Sequence, residues 1–270
     1  MIHPNRAAYA LLLGVLTVAL PCAPTVAATG VSVAESSALD SAAVRFKQYV
    51  LQQIAECQLA ANRMRDRVAA RDLAGAQQAW LAARSGWESS EVITNEFLSD
   101  LDRKIDAWPD ADKGFHAIEA RLFGAHDVAV LPAADELVSN LKDFELQLRA
   151  TTLSAQGVLN GSAKLAFEIG EDKAGGGESP FSGNSLAEIR DNVASIAAAY
   201  EGVFATTTKK RNAELAKALS GDFREMHALL SVQQLKSLDQ LQLRRLSESL
   251  TRDLTLVAQV SGLAKPELGN

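Results

Sequence analysis

The residues best placed to do chemistry in this chain lie in Gly114-Phe115-His116-Ala117-Ile118-Glu119, which sets an imidazole and a carboxylate three positions apart. In a helix, residues i and i+3 share a face, so both side chains can address one ion. Upstream, Glu88 and Glu91 repeat the three-residue spacing, and Asp102 and Asp106 stand four apart. Oxygen donors with a single imidazole suit iron, manganese or zinc and disfavour copper(I). The imidazole nitrogen binds a metal only when neutral, so binding by such a set is expected to weaken below about pH 6.

The positions of these acids carry as much information as their types. Leu73, Ala76, Trp80, Ala83 and Trp87 form one apolar helical seam, and the next turn on that face brings Glu91, with Glu88 one turn before it. A carboxylate on a core stripe needs a partner, a proton or water, because burying it unpaired is costly. The competing reading is that the helix leaves the core near Glu88 and both acids face solvent. Phe115, Ile118 and Leu122 form the apolar stripe of a short third helix, and His116 and Glu119 lie on the adjacent stripe, near the core boundary. Two ligand pairs on neighbouring helices are how helical bundles build metal sites. Asp102 and Asp106 either add oxygens or cap a helix in a solvated loop.

Other chemistries find no footing. The sequence has no His-Glu-x-x-His, no Gly-x-Ser-x-Gly, no Walker pattern and no Gly-x-Gly-x-x-Gly. His126 and His227 are isolated and read as surface or capping residues. Cys57 falls on the seam Phe46, Val50, Ile54, Cys57, Ala61, Met64, Val68 and reads as a buried, inert thiol.

The elements that must position these groups are helices throughout. Three-four spacing of apolar residues recurs in Leu137 to Leu148, Ala155 to Ile169, Leu186 to Val203, Leu215 to Leu230 and Leu243 to Val257, and period-two alternation is nearly absent. The fold class is therefore all-α. Breaks are expected at Asp100 to Asp112, Gly124 to Pro132, and Lys173 to Asn184 with its glycine run. After the last, Ser185 and Glu188 suggest a capping box. About eight helices exceed one four-helix core, so two packed four-helix-bundle lobes are expected, residues 28–150 and 151–270.

Residues 1–27 read as a signal peptide: Arg6, an uncharged apolar run from Ala7 to Leu20, then Thr25-Val26-Ala27 before the cleavage point. Acylation at Cys22 is the second choice, because Leu20 and Pro21 suit it poorly. Export to the periplasm follows. Removing the leader leaves 26 basic against 33 acidic side chains, an acidic balance that argues against a nucleic-acid partner.

Four blocks carry a wider likeness: Phe46-Lys47-Gln48-Tyr49-Val50 to Cys57-Gln58; Ala79-Trp80 to Arg84, then Trp87-Glu88-Ser89-Ser90-Glu91, Leu101-Asp102 and Ile105-Asp106; Gly114 to Glu119 with Leu122-Phe123; and Phe181-Ser182 to Asn192 and Tyr200. With these the chain resembles the imelysin-like family, which includes the EfeO and EfeM iron-uptake proteins of bacterial periplasms. The third block is that family's hallmark His-x-x-Glu motif. The resemblance implies two helical lobes with a metal site in the cleft between them. It makes Glu88, Glu91, His116 and Glu119 ligands, with Asp102 or Asp106 contributing, and iron (Fe2+ or Fe3+) the cargo, with zinc or another divalent metal as the alternative. It implies two partners, a membrane iron permease and a haem-type peroxidase. Without a cupredoxin domain the chain looks like the short EfeM-type form. The imelysin name brings a rival function, a metallopeptidase with Glu119 or Glu88 as base, and a metal-free interaction module is the third reading.

Overall fold

The structure, a computed structural model, describes residues 33–108, 112–175 and 178–268; the expected signal peptide and Cys22 lie outside the described residues. Ten α-helices follow in order: α1 (Val33–Ala69), α2 (Leu73–Glu88), α3 (Glu91–Ile105), α4 (Gly114–Glu119), α5 (Leu131–Ala150), α6 (Ala155–Glu171), α7 (Ser185–Ala199), α8 (Ala205–Arg211), α9 (Ala213–Leu229) and α10 (Gln240–Ser261). No strand occurs among the described residues. The all-α reading holds, with more helices than the eight expected because α4 and α8 are short. Single π-helical segments, Ala120–Gly124 and Tyr200–Phe204, prolong α4 and α7.

Side-chain caps mark several starts. Asp72 accepts from the Gly75 N–H at 2.9 Å, Ser154 from Gly157 at 3.1 Å, Asn212 from Leu215 at 3.0 Å and Asp239 from Gln242 at 2.9 Å. Each satisfies a donor that the first helical turn leaves free. Gly262, with φ 66°, ends α10 in the left-handed conformation that glycine adopts without steric cost.

The expected apolar seams form one continuous core from residue 39 onward. The long α1 packs along α2 and α5, α3 lies on α5 and α6, α6 on α10, and α10 on α9. In the middle of this packing α7 touches α2, α3, α6 and α9. The α3–α6 crossing is close: a Cβ on Gly161 would overlap the Val92 carbonyl oxygen. Cys57 is fully buried on its seam, and burial raises its thiol pKa, so it stays protonated and inert as read from the sequence. His126 and His227 are exposed.

Three local expectations change. The second helix does not carry Glu91 on its stripe. It ends at Glu88, Ser89 and Ser90 form a turn in which the Ser90 hydroxyl donates to the Trp87 carbonyl at 2.6 Å, and Glu91 opens α3. Residues 100–105, expected in a loop, belong to α3, which absorbs a kink at Leu98 (φ −138°, ψ 44°). Ser185 is not the cap of α7 but its first residue, and Glu188 turns inward instead of closing a capping box.

Candidate metal centre

The turn between α2 and α3 is what brings charge into the core. The last turns of α2 carry Arg84, Trp87 and Glu88, α3 begins with Glu91, and Asp106 caps the C-terminal end of α3. Across from them α7 presents Ser185, Glu188, Asn192 and Ser195 as a buried polar stripe at three-four spacing. Lys173, just after α6, completes the group and is buried.

Arg84 is the hub, with no exposed surface. Its Nη2 lies 2.5 Å from Glu88 Oε1, its Nη1 2.6 Å from Asp106 Oδ1, and its Nε donates to Glu188 Oε1 at 3.1 Å; Glu178 Oε2 is 3.6 Å from Nη2. A planar fork of five N–H donors suits this many-sided role. Lys173 Nζ meets three carboxylates: Glu91 Oε2 at 2.8 Å, Glu178 Oε2 at 3.0 Å and Glu88 Oε2 at 3.1 Å. The Asn192 amide nitrogen donates to the same oxygens of Glu88 and Glu91, at 2.7 Å each. Glu188 also accepts from the Ser179 hydroxyl at 2.5 Å and from Asn184 Nδ2 at 3.2 Å.

The His116 half adjoins this cluster through Asp106. His116 Nε2 lies 2.9 Å from Asp106 Oδ1 and its Nδ1 3.9 Å from Glu119 Oε2, while Trp87 Nε1 donates to Asp106 Oδ2 at 2.8 Å. Glu119 Oε1 accepts from the Ser182 N–H at 2.8 Å, the Ser182 hydroxyl at 2.7 Å and the Phe181 N–H at 3.2 Å. Burial works against ionising Glu119, but the His116 contact and the Ser182 donors outweigh it and hold the carboxyl below its usual range.

The charge balance is uneven. Among the described residues, the cations paired with Glu88, Glu91, Asp106, Glu119, Glu178 and Glu188 are Arg84, Lys173 and His116. The surplus shows in the titrations. Burial and the charge of Glu88 push Glu91 well above the ordinary carboxylate range, and burial raises Glu178 as well. Glu88 is kept low because Arg84 and Lys173 outweigh its burial. A di- or trivalent cation would relieve this excess. Glu88, Glu178 and Glu188 can each place one carboxylate oxygen so that all three lie within 4.8 Å of one another, a spacing a metal could bridge. On the solvent side a cavity of ≈ 170 Å³ is lined by Glu91, Asp102, Asp106, Trp108, Glu168, Asp172 and Glu178.

The residues expected at the site are therefore gathered, but in two groups. His116, Glu119 and Asp106 form one, Glu88 and Glu91 another, and Arg84 joins Asp106 to Glu88. Glu88 stays fully buried even though α2 ends there, Glu91 is partly buried in the wall of the acidic cavity, and His116 and Glu119 are each only 1% exposed instead of lying at the core boundary. Asp102 sits apart, in the wall of the acidic cavity, where burial and then Asp106 raise it to about 7. Sequence reasoning missed Arg84, Lys173, Glu178, Glu188 and Asn192. Arg84 sits one turn from both Trp80 and Glu88 on α2, and the Ser185-Glu188-Asn192-Ser195 stripe runs beside the α7 seam; both were visible. Lys173 and Glu178 lie outside any long helix and left no periodic trace.

The imidazole contact has a measurable consequence. Burial lowers the His116 pKa, but Asp106 more than offsets this and brings it to about 9, against 6.5 for the free side chain. A raised folded value means the stabilisation is fully present below about pH 6.5 and is lost as pH rises through about 9; its ceiling is about 3 kcal/mol. The melting temperature of the wild type is expected to fall between about pH 7 and pH 9.5 by more than that of His116→Gln, measured by thermal denaturation. Parallel curves would show that the imidazole gains nothing from Asp106.

Comparison with known proteins places this architecture. A family model described as Imelysin matches residues 42–114 and 111–260. The iron uptake system component EfeM of Pseudomonas syringae pv. syringae (strain B728a) is 31% identical over 158 residues, 55% of this chain and 55% of that protein. EfeM of Bacillus subtilis (strain 168) is 28% identical over 205 residues, 72% of this chain and 53% of the relative. EfeO of Yersinia pseudotuberculosis serotype I (strain IP32953), another iron uptake system component, is 31% identical over 169 residues, 59% of this chain and 45% of its own length. This chain spans about half the length of these curated relatives. A crystal structure from Parabacteroides distasonis ATCC 8503, named as an iron-regulated protein A precursor, superposes with a TM-score of 0.65 at 16% identity over 86% of this chain and 96% of that one, a likeness of fold alone. The family match covers α2 to α9 and most of α1 and α10, and it takes in every residue of the charged cluster: the chain belongs to the imelysin family.

Proposed function

We propose that this protein captures a metal cation, iron foremost, at the buried carboxylate–histidine cluster and holds it for delivery in an iron-uptake system of the periplasm. One observation carries the reading: six carboxylates, three of them fully buried (Glu88, Glu119 and Glu188), gather around two permanent cations and one imidazole. The donors are oxygens and one nitrogen, which fits Fe2+ or Fe3+ and tolerates zinc. On this reading Glu88 and Glu91, with Glu178, take the ion in the carboxylate group, His116 and Glu119 form the second group beyond Arg84 and Asp106, Asp106 orients the imidazole, and Asp102 stands in the wall of the acidic cavity. The names of the EfeM and EfeO relatives support membership of a multi-component uptake system, with a membrane permease to receive the iron and a haem-type peroxidase beside it. No described helix is long and apolar enough to cross a membrane. Hydrolysis of peptides is the weaker reading, because Glu119 accepts three hydrogen bonds on one oxygen and is held ionised below its usual range, which makes it a poor general base.

The test is a titration of purified protein with Fe2+ (anaerobically), Fe3+-citrate and Zn2+, alongside His116→Ala and Glu91→Ala. Each substitution is expected to weaken iron binding at least tenfold, a loss of about 1.4 kcal/mol. Because the metal must displace the imidazole proton, wild-type affinity should keep rising up to about pH 9, not level off near pH 6. Equal affinity in the parent and both variants would place the ion elsewhere.

A further inference from the structure

We propose that the Lys173 ammonium is a built-in stand-in for the incoming cation: it occupies the carboxylate cage formed by Glu88, Glu91 and Glu178, and a multivalent ion binds by displacing it. This rests on the cation-binding reading above. Three observations support it. First, the surroundings of Lys173 Nζ are those of a metal: three carboxylate oxygens from three segments of the chain, at 2.8, 3.0 and 3.1 Å. An ammonium has three donors and fits this cage geometrically, yet it brings a single charge to a cage of three carboxyl groups.

Second, two of the three cage residues, Glu91 and Glu178, also line the acidic cavity, together with Asp102, Asp106, Glu168 and Asp172. Lys173 itself does not line the cavity; it is paired with Glu91 and Glu178 in the wall of a cleft whose charged lining residues are all acidic. A cation drawn into the cleft by that potential reaches Glu91 and Glu178, both paired with Lys173, before it reaches Glu88, which does not line the cavity. Third, Lys173 is not fixed in the body of a helix. It starts a single 3-10 turn, Lys173–Gly175, after α6 ends at Glu171. Its four-carbon stem can swing the ammonium out toward Glu168 and Asp172 in the cleft wall, so the charge leaves one acidic setting for another.

The exchange selects by charge. Replacing one monovalent cation by another in the same cage gains little, while a di- or trivalent ion adds one or two charges to a site with a surplus of carboxylates. Lys173 would therefore exclude Na+ and K+ and keep the carboxylates apart from one another until iron arrives. Arg84 does not share this role. It is wholly buried and is held by carboxylates from α2, α3 and α7.

The experiment is amine labelling of the purified protein with an acetylating reagent, read peptide by peptide by mass spectrometry, without metal, with saturating Fe2+ under anaerobic conditions, with Zn2+, and with excess K+. Lys173 should be protected without metal and in K+, and its labelling should rise at least tenfold with Fe2+ or Zn2+. The exposed Lys142 and Lys209 should not change. In parallel, Lys173→Met should bind Fe2+ at least tenfold more tightly, because no ammonium has to leave. If that variant does not fold, wild-type labelling alone decides. Stoichiometric Fe2+ binding with Lys173 still protected would overturn the displacement and leave the binding function standing, and so would weaker binding by Lys173→Met. If neither Fe2+ nor Zn2+ binds the wild type, the binding function itself fails, and the displacement falls with it.

Discussion

Arg84→Met is expected to cost about 3–5 kcal/mol of folding stability at neutral pH, the range for removing one partner from a buried ionic group. That is about a fifth or more of the stability of a typical domain. Methionine fills similar space, so the loss is electrostatic: Glu88, Asp106 and Glu188 lose their shared counter-charge where no water can replace it. The guanidinium also stands 5.5 Å from the Phe115 ring centroid, a cation–π contact that goes with it. The sign of the pH dependence is fixed by Asp106. Burial raises its pKa, but Arg84 and His116 outweigh burial and hold the carboxyl far below its ordinary value. A depressed carboxylate stabilises the fold above its unfolded pKa and loses that contribution as pH falls. The penalty in Arg84→Met should therefore be largest near pH 7 and shrink toward about pH 4, as the stranded carboxyls take up protons. Urea denaturation of both proteins at the two pH values measures this. A penalty under about 1 kcal/mol at pH 7, or one that grows in acid, would mean that Arg84 is not the counter-charge of the cluster. Arg84→Lys should recover only part of the loss, because one ammonium cannot reach Glu88, Asp106 and Glu188 together.

How much of this was legible in the sequence depends on what leaves a periodic trace. The helices did, because each buries a stripe at three-four spacing, and Cys57 was placed correctly on that ground alone. His116 and Glu119 were found as a pair because one helical turn relates them. Glu91 was flagged for the right reason, an acid where the core should continue, but through a wrong local picture: the helix ends at Glu88, and the turn at Ser89–Ser90 redirects the chain so that both acids still face inward. What could not be read was the compensation. The partners of Glu88 are one turn away (Arg84), 85 positions away (Lys173) and 104 positions away (Asn192), and only tertiary packing brings the last two together. A buried carboxylate announces that partners exist; it does not say which. The pH expectation rested on an unperturbed imidazole near 6.5, and the pairing with Asp106 that raises it to about 9 is made by tertiary packing, although Asp106 itself was among the candidate oxygen donors.

The second large effect is expected at Gly114, which precedes the histidine of the motif by two positions. Gly114 has φ +63°, in the left-handed region, and a Cβ there would overlap the Ile105 carbonyl oxygen. Both constraints select glycine. They also explain why the residue belongs to the site: the close approach presses the first turn of α4 onto the last turn of α3, and the next residue after Ile105 is Asp106, whose Oδ1 takes the His116 contact at 2.9 Å. Gly114→Ala is therefore expected to cost roughly 2–5 kcal/mol, the sum of the left-handed penalty and of overpacking against backbone. A valine there should be worse, because a β-branched side chain is a genuine outlier at that φ. The decisive signature goes beyond stability. If the close approach sets the imidazole–carboxylate geometry, the His116 pKa, followed by NMR of its ring protons, should fall from about 9 toward 6.5 in whatever fraction of Gly114→Ala remains folded. Metal affinity compared at about pH 9.5, where the imidazole is neutral in both proteins, should drop with it, because an imidazole no longer oriented by Asp106 loses the second contact that holds a ligand in place. A folded Gly114→Ala protein with an unchanged His116 titration would show that α3 and α4 hold the pair together without the glycine. In that case Gly114 serves the path of the chain and not the chemistry of the histidine.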